Sequence, residues 1–204
     1  MAIRPEREYR NLGTFQPIEA TEEKSDYIVE GYASTFEPYK LFEFEGVEYF
    51  ERIEPTAFDS TDMSDVVFLR DHTGKVLART KNDTIQLNVD SIGLHTRTDL
   101  GLTPASREMH EDIEVRNYTQ MSFSFVVADG GDYYDEATHT RVIKSIRKLY
   151  DISAVAFPAN PGTDIGVSMR DYFNGAIEAA RAERLEAEKR ERQKQKIRIL
   201  MEVL

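Results

Sequence analysis

The sequence predicts a mainly β protein with peripheral helices, its strands forming a closed or nearly closed antiparallel barrel or sandwich, followed by one long C-terminal helix. Two observations predict the β body. Short runs of alternating apolar and polar residues, rich in Val, Ile, Tyr and Phe, recur up to Phe157, and clusters of Gly, Pro, Asn and Asp separate them. Among them only Pro104 to Arg116 has the apolar spacing of a helix. A third observation predicts the tail: residues 171–204 hold no Pro, a single Gly (Gly175) and a dense mixture of Ala, Glu, Arg, Lys and Gln.

Taken in order, residues 1–26 read as a polar N-terminal arm with one early strand near Tyr9–Phe15. Tyr27 to Ala33 is a strand rich in β-formers, and Pro38 punctuates the break after it. Leu41 to Glu51 alternates around a Glu45-Gly46 turn. Ile53 to Phe58 exits into a short helical turn, with Pro55 in its first turn where a missing N–H costs nothing. Val66-Val67-Phe68-Leu69 is a continuous apolar run, the pattern of a strand buried on both faces. With Val76–Arg79, Ile85–Val89 and Leu94–Thr98 it predicts an antiparallel meander over 66–98. After the helix come a strand at 119–128, a turn at Asp129-Gly130-Gly131-Asp132, and strands at Val142–Ile146 and Lys148–Phe157. Pro158 and Pro161 stop the last one. The domain boundaries expected are an arm at 1–26, a β domain at 27–167 and a helical extension at 168–204.

Composition bounds the function. The chain has 204 residues, 40% of them hydrophobic, with 11 Phe and 10 Tyr, enough for one sizeable core. It has no Cys, which removes disulfides, thiolate metal sites and a cysteine nucleophile. A formal net charge of −11 argues against a general nucleic-acid partner. No apolar run reaches the length of a membrane span, so no membrane partner is expected. Four scattered His (His72, His95, His110, His139), none spaced for shared coordination, predict no metal and no cofactor.

The candidate chemistry centres on Met121-Ser122-Phe123-Ser124-Phe125. Alternation puts Met121, Phe123 and Phe125 on one face and the two hydroxyls on the other, lining either a second buried layer or a cleft. Ser122 is the candidate nucleophile. His72 follows a buried-type strand directly and is the candidate general base, against the plainer reading of a turn residue. Asp151 opens an apolar strand, and its carboxylate there requires a partner: a histidinium, or a salt bridge to Arg147 or Arg79.

Five segments in order resemble a known family. Tyr27–Phe36 is similar to its "v-G-y-A-s-x-F" strand, and Glu51–Phe58 to "E-x-I-x-p-G-A-F". Phe68–His72 with Val76–Arg79 resembles its histidine motif and the "l-G-r" after it. Met121–Phe125 resembles "M-S-F-G-F", and Leu149–Pro161 resembles "l-x-E/D-v-S-l-V-x-x-P-A-n-p". These are motifs of the prohead (capsid maturation) serine proteases of tailed bacteriophages. The resemblance implies the β-barrel of the herpesvirus assemblin-like proteases. It also implies a serine endopeptidase that cleaves scaffolding protein, or the scaffolding segment of the major capsid protein, and itself. The place implied is the assembling prohead in the host cytoplasm, with a homodimer among the expected assemblies.

Carried over, Ser122 is the nucleophile, His72 the base and Asp151 the third member, with His139 as the alternative because related viral enzymes use a second His. Ser124 stands where the motif has Gly and competes with Ser122 as nucleophile; Ala78 replaces the Gly before Arg79. The rival reading is a non-catalytic scaffold or capsid-assembly protein that retains the barrel. The polar body and apolar end of the tail suit helix-to-helix association with scaffold, against the alternative of a solvated tail.

Overall fold

A computed structural model describes residues 7–17, 27–156 and 165–202. The chain divides into two compact units, Met1–Ile165 and Gly166–Leu204. Among the described residues the first holds twelve strands and one α-helix: β1 (Glu8–Pro17), β2 (Ile28–Thr35), β3 (Tyr39–Phe44), β4 (Val47–Ile53), β5 (Val67–Arg70), β6 (Thr73–Arg79), β7 (Ile85–Val89), β8 (Gly93–Asp99), α1 (Pro104–Glu114), β9 (Gln120–Val127), β10 (Asp132–Asp135), β11 (Thr140–Ile143) and β12 (Ile146–Val155). The second is described by α2 (Ile165–Glu202), whose first residue closes the first unit.

The strands make two sheets. The larger runs β6-β5-β12-β9-β1-β2-β8-β7, and the smaller runs β10-β11-β4-β3. Among the described residues no pairing joins the two ends of the larger sheet, so no closed barrel is seen there. Nor is the pairing wholly antiparallel: β12 runs parallel to β5, and β11 parallel to β4. The predicted meander over 66–98 is also corrected. Its strands form two hairpins, β5–β6 and β7–β8, placed at opposite edges of the sheet. Alternation sets which side chains point inward. It carries no information about which strand lies beside which, because the ladder is made by backbone groups common to every residue.

Local chemistry explains the connections. Glu45 (φ 52°) and Gly46 (φ 80°) turn β3 into β4, and Asp71 (φ 45°) and His72 (φ 58°) turn β5 into β6. Two successive positive φ values are the mark of a two-residue hairpin whose twist matches the flanking strands. Thr103 caps α1, its hydroxyl accepting from the Ser106 N–H at 3.1 Å, and Pro104 follows at the first helical position. The Pro55 turn is a 3₁₀ helix, Pro55–Phe58.

One hydrophobic cluster spans both sheets and α1. Its centre is a cross-strand row, Phe123 paired with Ile152 and Ile152 with Phe68, all fully buried. Met121 and Phe125 extend the row along β9. Burial of one such Phe contributes about 1.5–3 kcal/mol. The other face of β9 and β12 is buried too, and it carries Ser122, Ser124, Asp151 and Ser153.

β1 lies in the middle of the large sheet, between β9 and β2, although the sequence reading set residues 1–26 apart as an arm. Its anchors are charged. Arg10 and Arg141 are both buried, and both bind the fully buried Glu51 of β4, with Nη2 of Arg10 at 2.8 Å and Nη1 of Arg141 at 2.9 Å from Oε2. Glu8 bridges the two guanidiniums at 2.6 Å from each, Asp132 takes Arg141 at 2.6 Å, and the Tyr39 hydroxyl donates to Glu51. Burial by itself raises the Glu51 carboxyl, but Arg10 and Arg141 outweigh it and hold the group below its ordinary range. Burial and the neighbouring Glu51 charge push the Tyr39 phenol well above its ordinary value.

α2 carries exposed Glu, Arg and Lys through its middle, with ion pairs at i and i+3 such as Arg181–Glu178 and Lys189–Glu186. The side chains of its apolar last turns, and the stop at Pro158–Gly162, lie outside the described residues. Among the described residues no helix is long and apolar enough to cross a membrane.

Candidate active site

The site is built on three neighbouring strands and one turn. In the antiparallel β9–β12 ladder Ser122 faces Ser153 and Ser124 faces Asp151. β5 runs parallel on the other side of β12 and ends at Arg70, level with Ala154. The Asp71-His72 turn therefore begins beside the end of β12, and the Asp71 N–H donates to the Ala154 carbonyl at 2.9 Å. That bond fixes where the turn projects His72. Both turn residues occupy the left-handed region, which Asp and His enter at lower cost than most side chains.

The consequence is a continuous chain of hydrogen bonds. The Ser122 hydroxyl lies 2.6 Å from Nε2 of His72, and Nδ1 of the same ring lies 2.6 Å from Oδ1 of Asp151. A carboxylate only accepts, so Nδ1 carries the proton and the Nε2 lone pair faces the serine. Ser153 donates to the same Oδ1 at 2.7 Å. The second oxygen, Oδ2, accepts from the Ser124 hydroxyl and from Nη2 of Arg7. Arg7 also donates to Oγ of Ser124, from Nη2 at 2.6 Å and Nε at 3.0 Å. Its guanidinium lies over the rings of Tyr150 (4.6 Å) and Tyr9 (5.4 Å). Tyr9 in turn packs edge-on against the His72 ring, centroids 4.6 Å apart.

Burial differs across the site. Ser122 and Asp151 are fully buried, while the His72 side chain keeps 17% of its surface exposed. Desolvation and the nearby Arg7 cation lower the His72 pKa to about 4, against a smaller opposing effect of Asp71. The ring is then neutral at physiological pH, the state a general base requires.

Ser122, His72 and Asp151, named from the sequence, are thus brought into contact. His139 is not part of this contact. It lies in the turn between β10 and β11, bonded to the Tyr134 hydroxyl at 3.0 Å. Asp151 bonds neither Arg147 nor Arg79 among the described contacts; Arg79 pairs with Asp65 at 2.6 and 2.8 Å. Arg7, Tyr9 and Ser153 were missed. Ser153 was legible, since alternation puts it on the face of Asp151. Arg7 had no signal, and the strand expected near Tyr9–Phe15 gave no hint that it inserts between two core strands.

No curated protein and no solved structure matches this chain. A family model described as caudovirus prohead serine protease matches residues 16–176. The chain therefore belongs to the caudovirus prohead serine protease family.

Proposed function

We propose that this chain is the capsid-maturation endopeptidase of a tailed phage. It cuts scaffolding protein, or the scaffolding segment of the major capsid protein, and itself, inside the assembling prohead. Family membership supports a protease role in capsid maturation. The observation that carries the assignment of residues is the unbroken series Ser122 Oγ, His72 Nε2, His72 Nδ1 and Asp151 Oδ1, with 2.6 Å at each contact.

In this reading Ser122 attacks the scissile carbonyl carbon while its proton passes to Nε2 of His72. Asp151 holds the Nδ1–H tautomer and stabilises the imidazolium as it forms. His72 then gives that proton to the leaving amine, the peptide C–N bond breaks, and an acyl-Ser122 remains. Water, deprotonated by the same ring, hydrolyses the ester and restores the hydroxyl. The second hydroxyl, on Ser124, has its proton directed at Asp151 and its lone pairs met by Arg7, so it is not poised for attack.

The test is the intact mass of a major capsid or scaffolding protein co-expressed with the full chain. Trimming by wild type that disappears in Ser122→Ala supports the reading. Particles that assemble with an untrimmed partner in both cases overturn it in favour of a non-catalytic scaffold protein.

A further inference from the structure

Among the described residues four groups donate to Asp151, and only one of them is His72. The carboxylate is fully buried, so its charge must be met inside the protein. Oδ1 serves His72 and Ser153; Oδ2 serves Ser124 and Arg7. A carboxylate held at both oxygens cannot rotate about its Cβ–Cγ bond without losing partners on each side.

We propose that Arg7 and Ser124 are positioning residues of the acyl-transfer site, clamping Oδ2 of Asp151 so that Oδ1 stays aimed at His72. The proposal rests on the Ser122–His72–Asp151 reading above. Arg7 comes from outside the segment the family model matches, residues 16–176. It reaches the site because β1 pairs with β9, where Tyr9 stands opposite Ser124. β1 is kept there by the buried Arg10–Glu51–Arg141–Glu8 network, so the guanidinium is delivered by a rigid strand.

The clamp has an electrostatic consequence. The titratable and charged groups facing His72 are Asp151 from β12, Arg7 just before β1, Tyr9 on β1 and Asp71 in its own turn. Arg7 is the cation among them, and it opposes protonation of the ring. The chain thus accepts a weaker base in exchange for a fixed one.

The experiment compares wild type, Arg7→Met, Arg7→Lys, Ser124→Ala and Ser122→Ala as full chains, with near-UV circular dichroism confirming the fold. Two readouts are taken: the NMR titration of the His72 ring, and the pH profile of inactivation by a fluorophosphonate that labels activated serines. In Arg7→Met the His72 titration and the acid limb of inactivation both move up by about one pH unit or more. The plateau rate falls about tenfold through loss of alignment. Arg7→Lys keeps the limb near wild type but not the plateau, because an ammonium lacks the planar fork. Ser124→Ala lowers the plateau with a smaller movement of the limb. A residue that only supported the fold would lower the rate without moving either titration. A folded Arg7→Met with an unchanged His72 titration and unchanged acid limb overturns the proposal. Labelling that survives Ser122→Ala overturns the triad reading instead, and the His72 titration still decides whether Arg7 acts on the ring.

Discussion

Asp151 and Ser124 are directly opposed in the β9–β12 ladder, and the Ser124 hydroxyl donates to the Asp151 carboxylate. Two residues away, Ser122 donates to His72 instead. One alternating strand thus supplies two serines with different partners, and the difference predicts different phenotypes. Ser122→Ala lowers cleavage by more than about 10³-fold, whereas Ser124→Ala still cleaves, at a reduced rate. Single-turnover trimming of the capsid or scaffolding partner, followed on gels, separates the two. Loss of cleavage in Ser124→Ala with retention in Ser122→Ala reverses the assignment.

In the proposed mechanism the His72 ring sets the pH behaviour. Its ordinary value is 6.5 and the fold lowers it to about 4, through desolvation first and the Arg7 cation second. Activity that needs the neutral ring therefore persists on acidification through pH 6 and fails only near 4. Stability follows a related course. Between 6.5 and about 4 the unfolded chain binds the proton that the folded chain refuses. The His72 contribution to stability is thus complete above 6.5, declines as pH falls through this window, and changes no further below about 4. Urea midpoints of wild type and His72→Gln, measured across that range, converge toward low pH.

The turn that presents His72 is conformationally demanding. Asp71 has φ 45° and His72 φ 58°. Asn tolerates this region and a β-branched residue does not. Asp71→Asn keeps the hairpin and most of the activity. Asp71→Val costs about 1–3 kcal/mol and reduces cleavage further than that loss explains, since it displaces His72. Thermal unfolding and cleavage rate, measured on the same samples, check both.

The buried ion network ties β1 to the smaller sheet. Glu51→Ala removes the carboxylate shared by Arg10 and Arg141 and destabilises the protein by about 3–5 kcal/mol. Exposed pairs such as Lys40–Glu48 contribute far less, so Glu48→Ala leaves the urea midpoint nearly unchanged. Equal effects of the two substitutions would show that the network does not hold the strand.

Much of the local structure was legible because it rests on short-range rules. Period-two alternation marked β3, β4 and β7 to β9, a run of β-formers marked β2, the Glu45-Gly46 pair marked a hairpin, and Pro104 marked the start of α1. The same alternation put Ser122 and Ser124 on one face, and the same rule makes Ser153 legible on the face of Asp151. Periodicity states which face of a strand is apolar, and that depends only on the residues in the strand.

Neighbourhood was settled by the tertiary fold alone. β6 and β7 are consecutive in sequence and lie at opposite edges of the sheet, and Asp151 meets His72 because β12 and β5 run side by side. β1 is the sharpest case. Its inward residues, Glu8 and Arg10, are charged, so hydropathy reads it as surface; it is an interior strand because Glu51 and Arg141, distant in sequence, neutralise it. A buried charge becomes tolerable only when its partners arrive, and where they arrive from is a property of the folded chain.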